Sequence, residues 1–350
     1  MSTGRFSKKE KNEVWDRPVR WSVAPTFDWS TMKLALSLLL LTSIAFAADT
    51  PAKKKAEAPA KKAPAKKVYP KNPPPTVANL KYGPAERNVL DFWQAKSDKP
   101  TPLLFYIHGG GWMGGDKAGI AVEPFLKEGI SVVSINYRYI SQAQDVVPPV
   151  KAPLTDAALA LQTVRSKAAE WNIDKQRIGA SGGSAGACSS LWLAFHPDMA
   201  DPKSDDPIAR ESTRLYTAAV NGPQTTLDPK QMREWTPNSK YGGHAFSKSG
   251  EFKNFDDFVA ARERILPWIA EYSPYALVSS DDPPVYCSFG APPAIGQEQK
   301  DPTHTANFGV KLQEYCKEKG VGCEVYYPGV TDVKFKSTTE YLIAKLKEAK

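Results

Sequence analysis

The sequence predicts an α/β protein: a mostly parallel central sheet, helices on both of its faces, and a lid insertion. Three observations point there. Beyond residue 67 short apolar runs alternate with helical patterns, as strands and crossover helices do in such sheets. The 350 residues, 41% of them hydrophobic, can bury a large core. No segment there approaches the ~20 apolar residues of an ordinary membrane span. The expected strands are Asn88 to Trp93, Leu103 to Ile107, Ser131 to Tyr137, Arg177 to Ser181, Tyr216 to Val220, Val285 to Phe289 and Cys323 to Tyr327. The main expected helices are Leu154 to Glu170, Ala185 to Phe195, Ala306 to Lys319 and Thr338 to Glu348. From His196 to about Ser280 the chain is longer than the other crossovers and rich in Pro, Trp and charge. That stretch is expected to hold the lid, with Trp235 and Trp268 packing it down or lining a pocket.

The front of the chain is of another kind. Met32 to Ala47 has a positive start, a short apolar run and a small-x-small ending, the pattern of a secretory signal peptide cleaved after Ala47. A start of translation at Met32 follows, with 1–31 a gene-start extension; the competing reading is a genuine extension with an uncleaved anchor. From Ala48 to about residue 70 the chain is an Ala/Lys/Pro-rich linker, too polar to bury and too often broken by Pro to hold a helix. The folded domain would then occupy 71–350, with the lid at about 196–280.

The net charge of +8 belongs to this front end. Residues 1–67 carry 14 Lys/Arg and 6 Asp/Glu, and the remaining 283 carry 32 of each sign. The basic balance therefore gives no ground for a nucleic-acid partner. Export, periplasmic or secreted, would place Cys188, Cys287, Cys316 and Cys323 where oxidation is possible. Cys316 and Cys323 are near enough in sequence to bridge locally; their spacing suits buried free thiols equally. The cysteines lack close pairs and the four His are scattered, so no metal and no organic cofactor is implied.

Chemistry is written in two glycine-rich turns. Gly182-Gly183-Ser184-Ala185-Gly186 matches G-x-S-x-G, preceded by a strand and followed by a helix-forming run. A sharp turn there would lift the Ser184 hydroxyl above the C-terminal edge of the sheet, and small residues at 182 and 186 would avoid the adjoining strand and helix. The helix N-terminus behind Ser184 favours negative charge developing at a substrate. His108-Gly109-Gly110-Gly111-Trp112 directly follows the strand from Leu103 to Ile107, and its glycines let backbone N–H groups approach a ligand.

Taken together, with Gly114-Gly115-Asp116-Lys117 after them, these motifs resemble α/β-hydrolases of the carboxylesterase and hormone-sensitive-lipase-like type, and more closely exported bacterial feruloyl and acetyl esterases. The resemblance covers roughly residues 80 to 348. It implies the α/β-hydrolase fold, hydrolysis of short acyl or aryl esters, including polysaccharide-linked ones, Ser184 as nucleophile, and Gly110, Gly111 and Ala185 as the oxyanion-binding amides. It also implies structural roles for His108, for Asn136-Tyr137-Arg138 and for Asp156.

The family pattern breaks where the base and the acid should stand. After the last strand a Pro-Gly-x-x-His sequence is expected, and Pro328-Gly329-Val330-Thr331-Asp332 is found, with no histidine after His304. An aspartate is a far weaker base than imidazole near neutral pH. Pro293 stands where the acid is expected; with a short insertion Glu298 fits the place. Three readings follow. His304 supplies the base from another loop, oriented by Asp332 or Glu298; or the site has lost its base and binds a ligand such as a glycan; or His304 is structural and His244 on the lid is the base.

Overall fold

The apolar runs pair into one sheet of eight strands in the computed structural model, which describes residues 69–143, 145–247 and 250–348. The strands are β1 (Val77–Lys81), β2 (Val89–Trp93), β3 (Thr101–Ile107), β4 (Ser131–Ile135), β5 (Ile173–Gly183), β6 (Thr217–Asn221), β7 (Val285–Ser288) and β8 (Cys323–Tyr326). Their spatial order is β1-β2-β4-β3-β5-β6-β7-β8. β2 runs antiparallel to both neighbours and every other pairing is parallel, so the mostly parallel sheet is as the alternation predicts. The segments 1–31 and 32–47, and nearly all of the linker from 48 to 70, lie outside the described residues.

The α-helices of the described residues are α1 (Glu123–Leu126), α2 (Lys151–Ser166), α3 (Ala185–Phe195), α4 (Pro229–Trp235), α5 (Gly243–Phe246), α6 (Phe255–Ala260), α7 (Arg262–Tyr272), α8 (Pro274–Leu277), α9 (Asn307–Lys319) and α10 (Thr338–Lys347), and short 3-10 turns lie at Lys117–Gly119 and Ile140–Gln142. α3 packs on β5 and β6 with α2 beside it, while α10 packs on β5, β6 and β7 together with α1. The interior accordingly divides in two. A larger core holds Phe105, Leu161, Leu191 and Trp192, and a smaller one holds Leu104, Val132, Tyr341 and Leu346. Adjacent residues Leu104 and Phe105 go to different cores because successive strand side chains point to opposite faces.

Some boundaries differ from expectation, each for a local reason. β1 lacks an apolar run: it is an edge strand whose residues are all exposed or half-buried. β5 begins at Ile173 rather than Arg177, through the polar stretch Asp174 to Arg177, because Ile173 pairs with Thr101 across an irregularity in the ladder. α2 starts at Lys151, ahead of Leu154; Pro153 fits because the first turn of a helix has no intrahelical acceptor for its N–H groups.

Between β6 and β7 the chain forms the helical layer α4 to α8, in the stretch expected to hold the lid, whereas 196–216 contains no helix. Trp235 is buried edge-on against Tyr275 and against Phe308 of α9, so it holds this layer down, while Trp268 packs within the layer against Phe246. All four cysteines are free thiols, and the local Cys316–Cys323 bridge is not formed. No described helix is long and apolar enough to cross a membrane.

One buried ion pair ties the antiparallel edge to the body. Asp156 on α2 accepts hydrogen bonds from Asn88 Nδ2 (2.8 Å), the Arg138 amide (2.9 Å) and Arg138 Nη2 (2.7 Å). Its side chain is 4% exposed, so removing it strands the half-buried guanidinium. Asp156→Ala is expected to cost about 3 kcal/mol, read as a lower urea midpoint at unchanged slope.

Candidate active site

Strand register brings the site together. Ile107 pairs with Gly182, Gly182 with Val220, Gly183 with Asn221, and Asn221 with Ser288, so β3, β5, β6 and β7 end level at one edge. The segments leaving that edge are the 108–112 loop, the turn at Ser184, Gly222 and the chain from Phe289 to Ala306. Ligands of open parallel sheets bind at such C-terminal edges.

Ser184 sits between β5 and α3 with φ 53° and ψ −122°, a left-handed backbone that L-residues seldom adopt. Surrounding structure holds it there. Its N–H donates to the Asn221 carbonyl at 3.0 Å, and its carbonyl accepts from Cys188 N–H at 2.9 Å. The flanking glycines are a matter of space: a Cβ at Gly182 or Gly186 would lie 2.4 or 2.1 Å from the Ile107 carbonyl oxygen. Ala185 is the first residue of α3, where N–H groups have no intrahelical acceptor.

Alongside runs the 108–112 loop. A Cβ at Gly109 would be 2.4 Å from the Gly183 carbonyl oxygen and 3.5 Å from Ser184 Cβ, so the two backbones touch. Gly110 and Gly111 both have positive φ, and Met113 N–H closes the turn on the Gly110 carbonyl. His108 is buried under this loop, stacked on Tyr137 with Nε2 3.2 Å from Arg87 Nη2, and it is a brace away from Ser184.

The histidine on Ser184 is His304. Its Nε2 is 3.0 Å from Ser184 Oγ, and its Nδ1 is 2.8 Å from Asp301 Oδ2. The carboxylate beside the imidazole is therefore that of Asp301, where sequence reasoning expected Glu298 or Asp332. Glu298 is exposed three residues before Asp301, and Asp332 is exposed beyond β8 with φ 58°. Asp301 reaches back because its Oδ1 also accepts from the amides of Thr303 (3.2 Å) and His304 (3.3 Å), a side-chain turn typical of Asp. That turn is the signal the sequence carried in Asp301-Pro302-Thr303-His304. Burial acts to raise the Asp301 pKa; the hydrogen bond and charge of His304 and the two amides outweigh it, leaving the carboxyl below its ordinary value.

The loop is pinned on several sides. Gln224 Nε2 donates to the Thr303 carbonyl (2.8 Å), Asn238 Nδ2 to the Gln299 carbonyl (2.9 Å), and Asn307 Nδ2 to the Trp235 carbonyl (2.8 Å). The His304 ring lies over Gly222, where an added Cβ would be 3.3 Å from its Cδ2.

His244, the other candidate base, is on α5 behind the 108–112 loop, against Trp112 and Tyr241. Burial pushes its pKa down to about 4, partly countered by a hydrogen bond to the Gly111 backbone. The unfolded chain takes up this proton below its ordinary value of 6.5, and the folded chain only near pH 4. Folding stability is expected to fall by roughly 3 kcal/mol as the pH drops from about 6.5 to 4 and to level off below. His244→Gln should flatten that part of the curve in urea unfolding at stepped pH. Among the described residues, no group of three or more His, Cys, Asp or Glu could hold a metal ion.

The BD-FAE family model matches residues 90–299, more than half of the chain. Gut esterase 1 of Caenorhabditis elegans is 29% identical over 154 residues, 42% of this chain and 27% of its own length. The chain thus spans about a quarter of that curated relative. An acetyl ester-xyloside bifunctional hydrolase from Caldicellulosiruptor lactoaceticus superposes with TM-score 0.51 at 25% identity, over 68% of this chain and 76% of that one. A truncated carbohydrate esterase from gut microbiota superposes with TM-score 0.56 at 20% identity, over 82% and 100%. With its sheet, elbow and glycine loop in place, the chain belongs to the BD-FAE family of α/β-hydrolases.

Proposed function

We propose that this protein is a serine hydrolase that cleaves carboxylic esters through an acyl-enzyme. The observation that carries the reading is the chain of contacts from Ser184 Oγ to His304 Nε2 (3.0 Å) and from His304 Nδ1 to Asp301 Oδ2 (2.8 Å). His304 accepts the Ser184 proton as Oγ attacks the ester carbonyl carbon, and charge moves to the carbonyl oxygen. The amides of Gly110, Gly111 and Ala185 receive that oxyanion, helped by the N-terminus of α3. Collapse breaks the bond to the alcohol, which leaves with the proton from His304. Water, deprotonated by His304, then attacks the acyl carbon and frees Ser184. Asp301 holds the imidazole in the tautomer whose Nε2 faces the serine.

Loss of the histidine after β8 is thus met by one arriving after β7, and a ligand-binding protein without a base is not favoured. Short acyl or aryl esters, including those on polysaccharides, are the proposed substrates. The BD-FAE match and the acetyl ester-xyloside hydrolase support that choice. The signal-like segment from Met32 to Ala47 supports export to the periplasm or medium. Mass spectrometry of the protein from an exporting host tests that: a mature N-terminus at Ala48 is expected, and one well upstream would sink it. The catalytic reading is tested by a fluorophosphonate probe. One adduct per chain on Ser184, with matching loss of acetyl-ester hydrolysis, is expected; no adduct there overturns the assignment.

A further inference from the structure

Behind the 108–112 loop lies a cavity of about 670 Å³ between the lid helices and the segment from Ile140 to Pro149. Its wall abuts the glycine loop that borders the site, and neither Ser184 nor His304 is part of the lining. A Cβ on Gly111 would meet Met113 Cε at 3.4 Å and His244 Nε2 at 3.8 Å, and Met113 and His244 both line the cavity. Gly109, two residues earlier, touches Ser184. A group placed here would therefore lie just across the glycine loop from the nucleophile.

The lining is apolar with one sign of charge. Phe252, Phe255 and Phe258 form much of it, and among the described residues its charged members are Lys240 and Lys253, with no Asp or Glu. Neither lysine has an ion pair among the described residues. Of the nearby carboxylates, Glu251 pairs with Arg264 and Asp256 with Arg233, Asp257 Oδ2 accepts from the Lys253 amide while the Asp257 N–H donates to Asn254 Oδ1, and Asp145, in the segment that carries the lining residues Ala143 and Val146, is exposed. Two polar atoms at the loop, His244 Nε2 and Tyr241 Oη, are shielded from water without a hydrogen-bond partner among the described residues. A concave, mostly apolar wall with a few polar groups is the usual form of a ligand pocket.

We propose that this cavity receives a carboxylate-bearing part of the ester substrate, its charge met by Lys240 and Lys253 and its carbon skeleton by Met113, Phe252, Phe255 and Phe258. The inference rests on the ester-hydrolase reading and names the substrate class of that site. Both lysines are exposed, so their attraction is screened and modest.

Two ester pairs test it with the full chain at low salt, one charged on the acyl side and one on the alcohol side: mono-para-nitrophenyl adipate against its methyl ester, and meta-carboxyphenyl acetate against meta-carbamoylphenyl acetate. In at least one pair kcat/KM for the acid should exceed that of the neutral ester by about fivefold, a ratio that falls to about one in Lys240→Gln/Lys253→Gln. Equal or reversed preference in both pairs, or a ratio untouched by the double substitution, overturns the proposal. Calorimetry of meta-hydroxybenzoate and adipate on the Ser184→Ala chain reads the cavity without turnover. Binding of either acid that is lost in the double variant supports the proposal even if hydrolysis is absent, and hydrolysis without any preference for acids defeats it alone.

Discussion

Ser184→Ala and His304→Ala are each expected to lower kcat for para-nitrophenyl acetate by about 10⁴-fold or more, and the double variant to lose no more than either alone. The two side chains act on one proton: without the serine there is no nucleophile, and without the imidazole 3.0 Å away its hydroxyl keeps its proton near neutral pH. The glycine loop and the amide of Ala185 remain in both variants, so a residual rate above buffer should persist. Steady-state rates with active-site titration check this. Full activity in His304→Ala would return the base to another group. His244 is a poor substitute, because its lowered pKa makes it a weaker base and it lies behind the 108–112 loop.

The second large effect is at the acid. Asp301→Asn is expected to lower kcat by about 10²-fold, less than the ~10⁴ typical of a buried triad aspartate. The Asp301 side chain is 64% exposed, so water can partly replace the carboxylate in holding the imidazole and the ion pair is screened. Glu298→Gln and Asp332→Asn should stay within about twofold, since neither replaces the carboxylate on Nδ1. Because the Asp301 pKa lies below its ordinary value of 3.8, the carboxylate stays charged through the neutral range. Whatever stability it gives is present above that value and is lost only as the pH falls through the lowered pKa. Comparing the pH profiles of wild type and Asp301→Asn separates orientation from folding. A kcat loss that persists at every pH, with an unchanged urea midpoint, is the expected result.

Much of this was legible in the chain itself. The apolar runs that became β3, β4, β6 and β7 are buried on both faces, and such strands announce themselves by composition. The two glycine motifs were legible for a steric reason: at Gly182 and Gly186 any side chain would strike the backbone of β3. β1 was not legible, because an edge strand without an apolar run looks like a loop. The acid was misread because spacing relative to a family pattern pointed to Glu298, while the local turn that folds Asp301 onto His304 involves only four residues and two amides.

Sequence alone determined the α/β class, the elbow at Ser184 and the glycine loop, because these rest on burial and on short-range steric limits that residue identity sets directly. Only the tertiary structure decided which histidine meets the serine. Ser184 and His304 lie 120 positions apart, and they meet because β5, β6 and β7 are in parallel register and Gln224, Asn238 and Asn307 pin the intervening loop. No local pattern encodes such a meeting, since each of those hydrogen bonds joins residues that the chain separates and the sheet reunites.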